Sequence, residues 1–144
     1  MDRQALDSQV RRLHGIWDTG DIASIAQVHA AGFVALMTKG WERSAFHGHS
    51  GARDAILRIR SALPDWHEEI QDLLIDGSRA VTRHVSTGTQ SGLFFGLPPS
   101  GRAAVIAEMS IYRSDAPPIS EQWCLSDDLT LARQLCLLPP APAT

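Results

Sequence analysis

Residues 66–102, "WHEEIQDLLIDGSRAVTRHVSTGTQSGLFFGLPPSGR", decide the fold class. An apolar-rich run ends at Asp76-Gly77, a dipeptide suited to a tight hairpin turn. Residues 79–90 read as a second strand. The Gly- and Pro-rich loop 91–102 leads to a third, "AAVIAEMSIYR" (103–113), and "SDAPP" turns the chain into a fourth, "ISEQWCLSD" (119–127). Strands joined by short or moderate turns pair antiparallel.

Upstream the periodicity changes to that of helices. In residues 5–20, Leu6, Val10, Leu13 and Trp17 recur at helical spacing, and Gly20 is placed to stop the helix. A short second helix is expected over residues 21–32, with Asp21 as cap and Ile22, Ile25 and Ala26 on one face. "FVALMT" (33–38) reads as a short buried strand and "WERSAFHGHS" (41–50) as a loop. Ser50 can cap a third helix that turns Ala55, Ile56, Ile59 and Leu63 inward and ends at Pro64. The expected fold is α+β: three N-terminal helices packed on a strongly curved, mainly antiparallel sheet that encloses a pocket. One domain is expected over residues 1–138, with a Pro-rich flexible tail over 139–144.

Composition narrows the function classes. The 144 residues are 44% hydrophobic and 20% charged, with a formal net charge of -3 and the basic residues scattered singly. Nucleic acid binding calls for a clustered basic face, so no nucleic-acid partner is expected. No apolar run approaches the roughly 20 residues of a membrane span, and the polar N-terminus does not resemble a signal peptide, so a cytoplasmic location is expected. Cys124 and Cys136 lack ligand or redox spacing, and His47 and His49 lack an evident third ligand; no metal site is expected.

Alternation on the fourth strand puts Glu121, Trp123, Leu125 and Asp127 on one face and Gln122, Cys124, Ser126 and Asp128 on the other. The large apolar groups assign the first face to the pocket. Asp127 would then lie beside an indole, where desolvation raises a carboxyl pKa toward the range of a general acid or base. The alternative for Asp127 is a buried structural hydrogen bond. Asp128 is expected to point away or to cap the following turn. Folding the strands about their turns sets Met109 opposite Trp123 and Val105 opposite Asp127, with His84 near Met109 and Gln90 near Val105. On that register His84 could donate a proton and Gln90 could hold a substrate carbonyl, in a pocket shared with Trp123 and Met109. A one-residue slip puts Arg83 in the place of His84. A strand histidine bonded to backbone or solvent is the other reading of His84.

Seven elements in order resemble the SnoaL-like polyketide cyclases of the NTF2-like superfamily. They are Pro64-Asp65, Gly88-Thr89-Gln90, Pro98-Pro99-Ser100-Gly101-Arg102, Arg113, Trp123, Asp127 and Gln134-Leu135-Cys136. The resemblance implies a cone-shaped α+β barrel forming a homodimer or higher homo-oligomer. It also implies a cyclase of secondary metabolism, of lyase or isomerase type, that closes a ring in a small polyketide-like substrate without metal or cofactor. The family's catalytic aspartate maps onto Asp127. Two features depart from the pattern: Gln90 stands where the family has histidine, and "FVALMT" lacks a histidine often found there. Three alternatives stay open: templated cycloaddition or conjugate addition, an epoxide hydrolase or cofactor-free hydroxylase, and a non-catalytic ligand-binding domain.

Overall fold

A computed structural model describes residues 2–40 and 43–143. The first helix, α1 (Arg3–Thr19), buries the stripe Leu6, Val10, Leu13, His14 and Trp17, and ends at Gly20 in the left-handed conformation (φ 72°). That bend brings the carbonyls at the end of α1 to Arg60, whose guanidinium donates to Trp17 O at 3.0 Å and Trp66 O at 3.2 Å. The expected second helix is shorter than its pattern suggests. A 3-10 turn (Ile22–Ser24) and one turn of helix, α2 (Ile25–Val28), give way to strand β1 (His29–Leu36), so residues 29–32 are extended rather than helical. Within the expected loop, Ala45–His47 forms a short strand, β2, while Trp41 and Glu42 lie outside the described residues. Helix α3 (Gly48–Ala62) starts two residues before the expected cap at Ser50, buries Ala52, Ala55 and Ile56, and stops before Pro64.

Four long strands follow as expected: β3 (His67–Asp76), β4 (Arg79–Thr89), β5 (Ala103–Arg113) and β6 (Ile119–Ser126). The sheet order is β2-β1-β6-β5-β4-β3, with β1 and β6 parallel and the other neighbours antiparallel. Helices α1 and α3 cover the concave face, and the core lies between them and the sheet. A fourth helix, α4 (Asp128–Gln134), is absent from the sequence-based expectation. It docks through the Gln134 amide, which accepts from Val105 N at 2.8 Å and donates to Val105 O at 3.0 Å. Val105 lies past the end of the β5–β6 ladder, so this side chain supplies the two bonds a strand would have made.

The two faces of the sheet invert the usual pattern. Along β4 the buried set is Ala80, Thr82, His84, Ser86 and Gly88, while on β5 and β6 the residues Val105, Met109, Ile111, Trp123 and Leu125 are exposed. Polar groups on the covered face of a sheet, with apolar groups outside, are a departure that points to use of both faces.

Candidate active site

The helices do not fill the concave face, and a cavity of about 120 Å³ remains between them and the sheet. Trp17 of α1, Ala55 and Ile59 of α3, Phe46 of β2, Ile106 of β5 and Leu131 of α4 give it apolar walls. Its polar groups are Glu68, His84, Glu108, Gln122, Cys124, Ser126 and Asp128, with Arg43 and Arg58 from the side of β2 and α3.

Cross-strand register brings the acid–base groups together. His84 on β4 pairs directly with Glu108 on β5, and Glu108 pairs with Ser126 on β6. Glu68 enters from β3, where Asp18 at the end of α1 accepts from Glu68 N at 2.7 Å and fixes the start of the strand. Its carboxyl is held on both oxygens: Trp66 Nε1 donates to Oε1 at 3.0 Å, and Oε2 lies 2.5 Å from His14 Nδ1. The other nitrogen of His14 lies 2.8 Å from the hydroxyl of Tyr112. Burial pushes His14 down to about 4 and Glu68 up to about 8, so the neutral pair is favoured, with the Glu68 acid donating to Nδ1.

His84 stands edge-on to His14, 4.7 Å between ring centres, and its Nδ1 is 3.1 Å from Thr82 Oγ1. Burial lowers its pKa to about 3, so the ring is neutral at physiological pH. Glu108 is different in kind. Its Oε2 accepts from the Cys124 thiol at 3.3 Å, but its Oε1 is buried without a hydrogen-bond partner. Burial first, and then the neighbouring Glu68, raise this carboxyl to about 7. The Cys124 thiol, pushed up by burial, stays protonated.

Potential ligand atoms of His14, Glu68 and His84 lie within 4.8 Å of one another. In this arrangement a proton between His14 and Glu68 holds the group together. His47 and His49 form no such group: His47 is exposed, and His49 Nε2 is bonded to His29 O at 2.7 Å.

The family profile of the SnoaL-like polyketide cyclases matches residues 8–135. The chain belongs to that family. Among solved structures, this SnoaL-like chain is similar to TsrD from Streptomyces laurentii, with 26% identity, 96% of this chain and 99% of the other covered, and a TM-score of 0.83. A protein from Bacillus cereus, described only as a candidate polyketide cyclase, shares 29% identity over 90% of this chain and 79% of its own, with a TM-score of 0.74. IdmH from Streptomyces antibioticus, likewise a candidate polyketide cyclase, shares the fold at 24% identity, covering 90% and 97% of the two chains with a TM-score of 0.77. Among curated proteins none matches in sequence. No helix among the described residues is long and apolar enough to cross a membrane.

Within this SnoaL-like frame, the residues singled out from sequence separate. The alternation on β6 is as read, but its faces are exchanged: Trp123 is 56% and Leu125 68% exposed, while Gln122, Cys124, Ser126 and Asp128 line the cavity. Asp127 is exposed outside the cavity lining, where its carboxylate caps α4 by accepting from Thr130 N at 3.2 Å and Thr130 Oγ1 at 2.7 Å. Those bonds hold its pKa low, not raised as expected beside an indole. The β4–β5 register also differs by one residue, so that Arg83, not His84, pairs with Met109. Both lie on the outer face, where Arg83 is ion-paired to Asp72 at 2.6 Å. The exchanged faces and the register slip cancel for His84, which alone of the expected set lines the cavity. Gln90 is buried beneath the loop instead: its amide donates to Pro98 O at 3.1 Å and accepts from Ser100 Oγ at 2.7 Å. Sequence reasoning missed Glu68, Glu108 and His14. Glu108 had a signal, a lone charge at the parity of Ile106, Ser110 and Tyr112 in an otherwise apolar strand.

Proposed function

We propose that this SnoaL-like chain is a cyclase of secondary metabolism that closes a ring in a polyketide-like small molecule, with Glu108 as general base and then general acid. The observation that carries this reading is the position of Glu108, a desolvated carboxyl that lines an apolar-walled cavity and pairs across the sheet with the neutral His84. A carboxyl in the wall of a cavity, with no cation beside it to hold it ionised, is suited to exchange a proton with a bound substrate. A pKa of about 7 keeps a working fraction ionised near neutrality and makes the protonated form a competent donor. The acid–base role expected of Asp127 is thus proposed for a different residue on the neighbouring strand.

In the proposed reaction Glu108 removes a proton from a carbon flanked by carbonyls. The neutral His84 ring supplies a hydrogen bond to the enolate oxygen, while Glu68, its proton committed to His14, keeps the neighbouring wall uncharged. The enolate carbon attacks a further carbonyl of the same molecule, remote from the two that flank it, and forms the new C–C bond as that C=O π bond opens to an alkoxide. The resulting alkoxide then takes back the proton from Glu108. The product is an isomer of the substrate, and the apolar walls contribute by holding the chain folded. His14, Trp66 and Tyr112 act as positioning residues for Glu68. Incubation in D2O of an aryl 1,3-dicarbonyl substrate that bears a further, remote ketone tests this directly. Enzyme-dependent deuterium incorporation at the acidic carbon and a cyclic product with no added oxygen are expected. A product enriched in solvent oxygen contradicts ring closure and favours hydration chemistry.

The outer face supports a homodimer. Val105, Met109, Ile111, Trp123 and Leu125 form a contiguous apolar surface, since Ile111 pairs with Trp123 and Met109 with Leu125. A surface of that kind on a sheet marks a protein contact.

A further inference from the structure

Charge in the cavity is segregated. The carboxyls of Glu68 and Asp128 act electrically on Glu108. Both arginines in the lining come from the opposite side, Arg43 just before β2 and Arg58 on α3. Arg43 is fixed in place: it pairs with Asp54 at 3.1 Å, donates to Ala45 O at 3.2 Å and lies over the Phe46 ring at 4.3 Å. Arg58 is exposed, stands 5.9 Å over the Phe95 ring, and has no carboxylate partner among the described residues. The same two arginines also line a groove on the outside of α3, with Asp54, Leu57, Arg60 and Ser61. Asp54 there is engaged by Arg43, and Arg60 by main-chain carbonyls, so among the described residues the rim between cavity and groove leaves the Arg58 guanidinium without a carboxylate.

We propose that the ligand of this cavity is an aryl compound bearing an anionic group, a carboxylate or a phosphate, held at the mouth by Arg58 with Arg43 as second donor. The ring sits between Phe46 and Phe95, and the reacting carbonyls reach inward to Glu108. This rests on the reading of the cavity as the ring-closing site. A planar guanidinium pairs well with either oxyanion, and the aromatic neighbours suit the ring attached to it. A neutral ester at the same place gains no such pairing.

Calorimetric titration with 1-naphthoate, 1-naphthyl phosphate and methyl 1-naphthoate tests this without turnover. At low salt at least one anion should bind ~5-fold or more tightly than the ester, as fits an exposed charge pair, and the preference should shrink as salt rises. Arg58→Gln should abolish the preference and leave ester affinity unchanged, whereas Arg58→Lys should restore part of it. The tighter anion identifies the group as carboxylate or phosphate. Equal affinities for anions and ester, or a preference that survives Arg58→Gln, overturn the proposal and leave the cavity reading standing. If none of the three binds, the cavity reading falls and the proposal with it.

Discussion

Glu108 and Asp127 show what a single carboxyl owes to its position. Asp127 is solvated and bonded twice to Thr130, so its acidity is strengthened and its role is to cap a helix. Glu108 is desolvated, a cost that the Ser86 and Cys124 side chains offset only in part, so it holds its proton to about 7. The spacing from Trp123 drew attention to the right strand end, and alternation separated Asp127 from Asp128 correctly. The error was to equate apolar with inside, an equation that fails on a sheet whose outer face is also apolar. His84 was legible as a candidate because it is a histidine in a strand. His14 and Glu68 were not, because their pairing depends on how α1 crosses β3. These buried groups also shape stability. Glu68 and Glu108 are raised from 4.5, so they stabilise the fold below that pH, and this contribution is lost as pH rises through about 7 to 8. His14 and His84 are lowered from 6.5, so their contribution is present above 6.5 and is lost as pH falls toward about 4 and 3. The two trends balance between about pH 5 and 6. Urea midpoints measured from pH 4 to 9 should peak there and decline toward pH 9, and Glu108→Gln should flatten the alkaline decline. A midpoint that climbs steadily to pH 9 contradicts the buried neutral acids.

Among the elements, the strands were the most legible. Residues 66–76, 79–90, 103–113 and 119–127 mark β3 to β6 within a residue at either end, because alternation and turn chemistry agree there. The start of β1 was hidden, since His29–Gly32 has helix-compatible spacing and only His29 of that segment pairs with β6, at Ile119, before the register breaks. Helix α4 was hidden by its length, yet the Gln134-Leu135 pair gains a physical account: Gln134 bonds the free end of β5 and Leu135 is buried. Gln90 has a similar role for the 91–102 loop, which explains a buried amide outside the cavity. The sheet's outer face gives the prediction at this scale. Trp123→Lys places a charge at the centre of the proposed dimer contact and, being on an exposed site, spares the monomer fold. Analytical ultracentrifugation should show a dimer for the native chain and a monomer for the variant. A native chain that stays monomeric at high micromolar concentration contradicts the contact.

Across the whole molecule, composition and element order were enough for the α+β class and the curved sheet, and the family motifs agreed with both. The contents of the cavity were not readable that way. They depend on which face of a twisted sheet the helices cover and on a one-residue choice of register, neither of which local sequence settles. The proposed activity belongs to this assembled space, in which Glu108 and His84 stand side by side against apolar walls. Its most direct test compares Glu108→Gln with Asp127→Asn, two isosteric changes, the second of which preserves a capping side chain. With a cyclisable 1,3-dicarbonyl substrate, the predicted result is a loss of ~100-fold or more in kcat for Glu108→Gln and an unchanged kcat for Asp127→Asn. Loss of turnover in Asp127→Asn with Glu108→Gln still active would contradict the assignment.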